Sequence, residues 1–240
     1  MPRTEEGFER LAPPRNGEWR SLFQEPEQTF EDYVAGGPNR PRAGRKTFVL
    51  QPLGEIAGAT LDRMVEYAAA FFGLEARRAP ARPLFEKAYV GTRAQYNSSM
   101  ILGDLAEHAP ADAVVTLGVS DVDLFARGKK FVFGEGSLDG RAGIFSLARL
   151  EGSERRALKL LTHEAGHLLS LAHCVTHRCV MQGSNSLEES DGHPLHLCPD
   201  DLRKLEWNVG LDRRARYRTL EAFYRARGWE AEAHWIAART

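Results

Sequence analysis

One stretch limits what this chain can fold into more than any other: Thr162 to Cys174, reading T-H-E-A-G-H-L-L-S-L-A-H-C. Its His163-Glu164-x-x-His167 core has the spacing a zinc hydrolase needs. On a helix, residues i and i+4 lie on one face, so both imidazoles can reach one ion. Glu164 follows the first candidate ligand and sits where a polarised water would lie. A third histidine, His173, comes six residues after His167, the spacing of a known three-histidine zinc pattern. A solvated helix face carrying polar residues by accident is the competing reading, and the third histidine weighs against it.

The rest of the chain must bury this helix. Ser153 is placed to cap it, and Ala157, Leu158, Leu160, Leu161, Leu168 and Leu169 supply its apolar surface. The β-rich runs Thr47 to Leu53 and Ala113 to Val119 read as buried strands. Leu74 to Ala79, Phe131-Val132-Phe133 and Ile144 to Leu150 read as further strands. A helix is expected from a Thr60 cap to Phe72, ended by Gly73, and a weaker one over Thr92 to His108. Strands alternating with helices predict an α/β sheet core. A short helix Pro199–Glu206 is expected to precede a longer one from Asp212, whose arginines (Arg213, Arg214, Arg216, Arg218, Arg225, Arg227) read as a solvated face.

Residues 1–45 hold half of the chain's 12 prolines, a composition that resists regular structure. They also hold Trp19, Phe23, Phe30 and Tyr33, too apolar for a simple disordered tail. We therefore expect an irregular arm packed on the domain, anchored by Trp19 and Phe23; a lid over the active site is the alternative. No linker follows, so 46–240 is expected to form the catalytic domain.

A net charge of −1 argues against a dedicated nucleic-acid or membrane-surface partner, and no apolar run approaches a membrane span. The first residues carry acids where a secretory signal would be hydrophobic, so a cytoplasmic monomer is the expectation. The three cysteines, Cys174, Cys179 and Cys198, lie within 25 residues of one another. An odd, clustered set reads as metal-binding rather than as a disulfide framework. Adjacent side chains in an extended or turning segment point opposite ways. His173 can therefore face a catalytic zinc while Cys174 faces a second, structural zinc with Cys179 and Cys198.

Cys174-x4-Cys179-Val180-Met181, directly after the three-histidine motif, resembles the archaemetzincin family of metzincin-type zinc metallopeptidases. Further blocks are similar: Q-P-L-G at 51–54, F-V-F-G at 131–134, G-I-F-S-L-A-R at 143–149 and M-Q-G-S-N-S-L-E-E at 181–189. In the arm, S-L-F-Q-E-P and P-N-R-P resemble vertebrate-type members. The resemblance implies a compact α/β metzincin-like domain: a mixed sheet with an antiparallel edge strand, an active-site helix and a zinc-stapled C-terminal subdomain. The upper part would span 46–173 and the subdomain 174–240. It further implies that His163, His167 and His173 bind catalytic zinc, that Glu164 is the base and acid, and that Met181 forms the Met-turn. The edge strand, expected at Phe131–Gly134, would bind a peptide or protein substrate by strand addition.

Two departures from the family pattern stand out. Its glycine is Ser170 here, at a turn where a left-handed backbone would cost a serine about 1–3 kcal/mol. Its last cysteine is Asp201, so the second zinc would take Asp201 or recruit His177, His193 or His196; a site completed by water, or left empty, is the remaining alternative. These departures motivate an alternative function, a peptide- or partner-binding protein with little turnover.

Overall fold

A computed structural model of the chain describes residues 7–239; the first six residues of the expected arm lie outside the described residues. Two short helices come first, α1 (Trp19–Leu22) and α2 (Phe30–Ala35), the latter held by a Thr29–Asp32 capping box. The main sheet begins with β1 (Thr47–Pro52), all of whose residues are buried. Next come α3 (Gly58–Phe72) and β2 (Ala76–Arg78). A small sheet of β3 (Tyr89–Val90), β4 (Gln95–Asn97) and β6 (Leu124–Phe125) flanks α4 (Ser98–Glu107) and the fully buried β5 (Ala113–Ser120). The edge strand β7 (Gly134–Gly136) and β8 (Ala142–Ser146) follow, then α5 (Glu154–Leu168). The chain closes with α6 (Leu187–Asp191), α7 (Pro199–Val209), α8 (Arg213–Arg225) and α9 (Glu230–Ala237).

The five-stranded sheet runs β2-β1-β5-β8-β7. Its first four strands are parallel, and only β7 is antiparallel, paired with β8 at the sheet's edge. Strands buried on both faces read as continuous apolar runs, which is why β1 and β5 were legible. Phe48, Leu50, Leu117 and Phe145 pack with α3 and α5 on one face. Ile144 packs with Ile101 and Leu105 of α4 on the other. The result is a mixed α/β architecture with the zinc-motif helix laid against the sheet and beside its antiparallel edge.

Several boundaries differ from expectation. Phe131–Phe133 is not a strand: Val132 makes one bridge to Leu124, and the ladder starts at Gly134. The expected helix over 92–108 starts only at Ser98, because Asn97 caps it through the Met100 N–H. The strand expected to reach Leu150 ends at Ser146. Helix α3 starts at Gly58, so Thr60 lies inside it. Arg216 is not solvated: its guanidinium is buried over the Phe71 ring and donates to the Phe71 carbonyl at 2.7 Å.

Candidate metal centres

Helix α5 starts at Ser153, whose side chain accepts the Arg156 N–H. Its buried stripe of Ala157, Leu158, Leu161, Ala165 and Leu168 fixes its rotation, which turns His163 and His167 together toward a cleft. Their rings lie 4.6 Å apart between centroids, with the two Nε2 atoms 3.1 Å apart. Each imidazole is held from behind. His163 Nδ1 is 3.0 Å from the Val180 carbonyl oxygen and His167 Nδ1 is 2.8 Å from that of Leu171, so each Nδ1–H donates and each Nε2 is left to face the cleft. Burial holds His163 well below its ordinary pKa, with the two neighbouring imidazoles adding to the effect. Burial and then His173 push His167 down to about 4. Both are thereby kept neutral, the form a metal takes.

The helix ends at Leu168, and the turn that follows brings in His173. Its ring lies 5.2 Å from that of His163 and 4.9 Å from that of His167. One donor atom from each of the three histidines falls within a 4.8 Å group. Ser170 makes this turn with φ of 64°, the left-handed conformation expected of the family's glycine. Its hydroxyl donates to the Leu138 carbonyl at 2.8 Å and accepts the Asn39 N–H at 3.1 Å. Three successive carbonyls at this helix end accept arm side chains: Leu168 from Asn39, Leu169 from Tyr33 and Ser170 from Gln28. Helix C-terminal carbonyls need such partners when water is excluded. Two hydroxyl hydrogen bonds, each worth about 1 kcal/mol, offset the left-handed cost of about 1–2 kcal/mol.

Glu164 is 5 % exposed and lies against β7, where a Cβ built on Gly134 would come within 2.5 Å of its carboxylate. Glycine at that edge makes room for the acid. Burial, with Glu135 adding, pushes Glu164 up to about 8 in the metal-free chain; a nearby cation would favour its carboxylate. Met181 is fully buried beneath the helix, its sulfur occupying space that a side chain on Gly166 would need. The cleft has a volume of about 590 Å³. It runs between the 129–136 segment with β7 on one side and Gln182 to His193 on the other.

Cys174, Cys179, Cys198 and Asp201 form a second group, all four buried and with donor atoms within 4.8 Å of one another. Cys174 and Cys198 sulfurs are 3.7 Å apart, and the Cys179 sulfur is 3.3 Å from Asp201 Oδ2. Cys198 caps α7, accepting the Asp201 N–H, while Cys179 Sγ accepts the Cys198 N–H at 3.2 Å. Hydrogen bonds from Cys179 and Cys198 favour the Cys174 thiolate, and burial pushes the Cys179 thiol up. Burial and the Cys174 charge push Asp201 up to about 6. Four buried acids cannot all ionise beside one another, so this donor set suits a cation. The other histidines lie apart from the group. His193 lines the cleft, His196 stacks on Trp235 at 3.6 Å, and His177 Nδ1 pairs with Thr176.

Sequence reasoning missed Lys204 and Glu25 as parts of these sites and gave Trp19 only as an anchor of the arm. Lys204 is buried with its ammonium 2.9 Å from Asp201 Oδ1. Trp19 lines the cleft beside His173, and Glu25 bonds the His173 imidazole. Lys204 stands three residues after Asp201 on the expected Pro199–Glu206 helix, and that i,i+3 spacing is the signal that could have found it. Glu25 falls inside the S-L-F-Q-E-P segment that resembled the family, the one signal that could have found it.

Comparison with known proteins gives a consistent result. Residues 73–207 match the model of Peptidase family M54. The chain is 31 % identical over 265 residues to Archaemetzincin-2 of Rattus norvegicus, across 89 % of this chain and 74 % of that protein. It is 34 % identical over 163 residues to the archaemetzincin of Archaeoglobus fulgidus, across 66 % and 98 % respectively. Among solved structures it resembles the archaemetzincin of Methanopyrus kandleri, with a TM-score of 0.62 and 31 % identity over 71 % of this chain and 99 % of that one. It also resembles the Archaeoglobus fulgidus archaemetzincin complexed with malonate, with a TM-score of 0.58 and 34 % identity over 66 % and 99 %.

Proposed function

The chain belongs to Peptidase family M54, the archaemetzincin zinc metallopeptidases, and on that premise we propose that His163, His167 and His173 hold its zinc while Glu164 moves the protons of peptide-bond hydrolysis. The convergence of three imidazole donors beside a buried carboxylate carries this reading. Zinc bound there supplies a Lewis acid and acidifies a water. Glu164 accepts the proton that the attacking water gives up, then returns it to the departing amine. Glu164 is 5 % exposed, and its burial favours the protonated form it takes between the two transfers. A peptide substrate lies along the outer edge of β7, whose only partner strand in the main sheet is β8, and adds a strand there. Met181 forms the floor, in metzincin fashion. Ser170 gives no support to the low-turnover alternative, since its turn is hydrogen-bonded and delivers His173 to the group.

Cys174, Cys179, Cys198 and Asp201 hold a second, structural zinc in this reading. Their enclosure, and the Lys204 ammonium that offsets part of their charge, support it. Residues 1–45 act as an arm on a catalytic domain of 46–240, with an upper part to 173 and the zinc-stapled subdomain beyond. A cytoplasmic location fits three free cysteines gathered as ligands, which a reducing compartment preserves. No helix among the described residues is long and apolar enough to cross a membrane.

Cleavage of a peptide library by the zinc-loaded chain tests the assignment. Glu164→Gln should abolish cleavage and leave the zinc content unchanged. Equal cleavage by the variant overturns the role given to Glu164.

A further inference from the structure

The three imidazoles of the histidine group are not supported alike. His163 and His167 rest their Nδ1 atoms on backbone carbonyls, those of Val180 and Leu171. His173 follows the helix on irregular backbone, and its Nδ1 meets a carboxylate instead. Glu25 places Oε1 at 2.8 Å and Oε2 at 2.9 Å from it. The two residues are 148 positions apart in sequence, and Glu25 lies well before residue 73, where the family-model match begins.

Glu25 is itself held in place. Its Oε2 accepts the Trp19 indole N–H at 2.9 Å, and the Trp19 ring meets the His173 ring edge-on at 5.2 Å. Trp19 is fixed in turn, because its backbone N–H donates to Glu189 at 2.7 Å and its ring packs on Gly183, where a Cβ would come within 2.5 Å. The Lys129 ammonium lies over that ring, 4.2 Å from its centroid. Three residues on, Gln28 brackets the turn before His173, donating to the Ser170 carbonyl and accepting the Ala172 N–H. A ligand on a helix is aimed by its backbone, whereas one on a loop needs a partner to fix its ring. A carboxylate does this well: it selects the tautomer with the proton on Nδ1, turns Nε2 to the metal and raises its basicity.

We propose that Glu25 is the positioning residue of the zinc centre, fixing the His173 ring through Nδ1, and that the N-terminal arm is thereby a working part of the peptidase site. The proposal rests on the assignment of His173 as a zinc ligand. It gives Glu25 no contact with substrate.

The test uses the full chain and its Glu25→Ala, Glu25→Gln and His173→Ala variants. Zinc affinity is read by competition with a chromophoric chelator. Cobalt substitution separates the two centres, since only the cysteine set gives a thiolate charge-transfer band. Glu25→Ala should weaken zinc binding at the histidine group by about 10–100-fold. At saturating zinc it should lower kcat more than it changes KM. Glu25→Gln, whose amide oxygen still accepts one N–H, should recover part of both losses. In the zinc-free protein Glu25→Ala should lower the unfolding temperature only by the small amount that its lost hydrogen bonds to His173 and Trp19 cost. The weakened zinc binding should be read well below that temperature, where a merely structural role for Glu25 would leave it unchanged. Should Glu25→Ala fail to fold, Trp19→Phe removes the N–H that fixes Glu25 and should give a smaller loss of the same kind. Wild-type zinc affinity and kcat in Glu25→Ala, or in Trp19→Phe if that variant has to stand in, overturn the proposal. If His173→Ala binds zinc as tightly as the wild type, the ligand assignment beneath it fails instead.

Discussion

His173 and Cys174 are neighbours in the chain, yet they belong to groups built on opposite principles. The histidine group is only partly buried and opens on a cleft, whereas all four members of the cysteine group are buried. The histidines offer ring nitrogens whose Nδ1–H groups donate, so what stands behind them are acceptors: two backbone carbonyls and the Glu25 carboxylate. The cysteines and Asp201 are acids, so their surroundings are donors: the Cys198 and Asp201 backbone N–H groups at the start of α7 and the Lys204 ammonium. The charge of the ligands thus decides the surroundings each group needs, and access to solvent decides what it can do. An open, neutral set leaves room for substrate and water; a closed, anionic one can only staple the fold.

The comparison breaks most visibly if one ligand is removed from each group. His167→Ala should lower peptide cleavage by about 10³-fold or more, by analogy with loss of an essential catalytic group. Its unfolding free energy should fall by only about 1–2 kcal/mol, the scale of the lost hydrogen bond to the Leu171 carbonyl. Cys198→Ser should instead destabilise the chain by about 3–5 kcal/mol, the scale for breaking a buried charged set. Urea unfolding of both zinc-loaded variants checks this, and a reversed order of stability would remove the distinction drawn between the groups.

A smaller effect sharpens how the two groups are joined. Ser170→Ala keeps the left-handed strain and loses both hydroxyl hydrogen bonds, so it should cost about 1–2 kcal/mol. Ser170→Gly loses the same bonds but relieves about 1 kcal/mol of strain. It should therefore stay closer to the wild type in the same urea experiment. Equal stability of Ser170→Ala and the wild type would mean that the bonds to Leu138 and Asn39 do not hold this turn.

What could be read from the residues alone follows from how local each signal is. Helix α5 and its histidines were legible because their chemistry is written at i, i+4 on one element. Strands β1 and β5 were legible because burial on both faces leaves an unbroken apolar run. The edge strand was misplaced by a few residues. Phe131 and Phe133 have strong β propensity but line the cleft, while the true ladder, Gly134-Glu135-Gly136, has almost none. Its glycines are there to admit Glu164, a tertiary requirement with no local trace. Arg216 was read as solvated because its helix carries four other arginines, and only its packing on Phe71 separates it from them. Asp201 could be proposed because it stands in a motif position. Lys204 reaches Asp201 across one helical turn, a local spacing that was passed over, whereas the Glu25 contact with His173 spans 148 positions and depends on the finished fold.

The two-centre account is tested most directly by anomalous scattering at the zinc edge from crystals of the zinc-loaded chain. It predicts two peaks per chain, one against the Nε2 atoms of His163, His167 and His173 and one among Cys174, Cys179, Cys198 and Asp201. A single peak, or a second peak lying away from the cysteines, would contradict it.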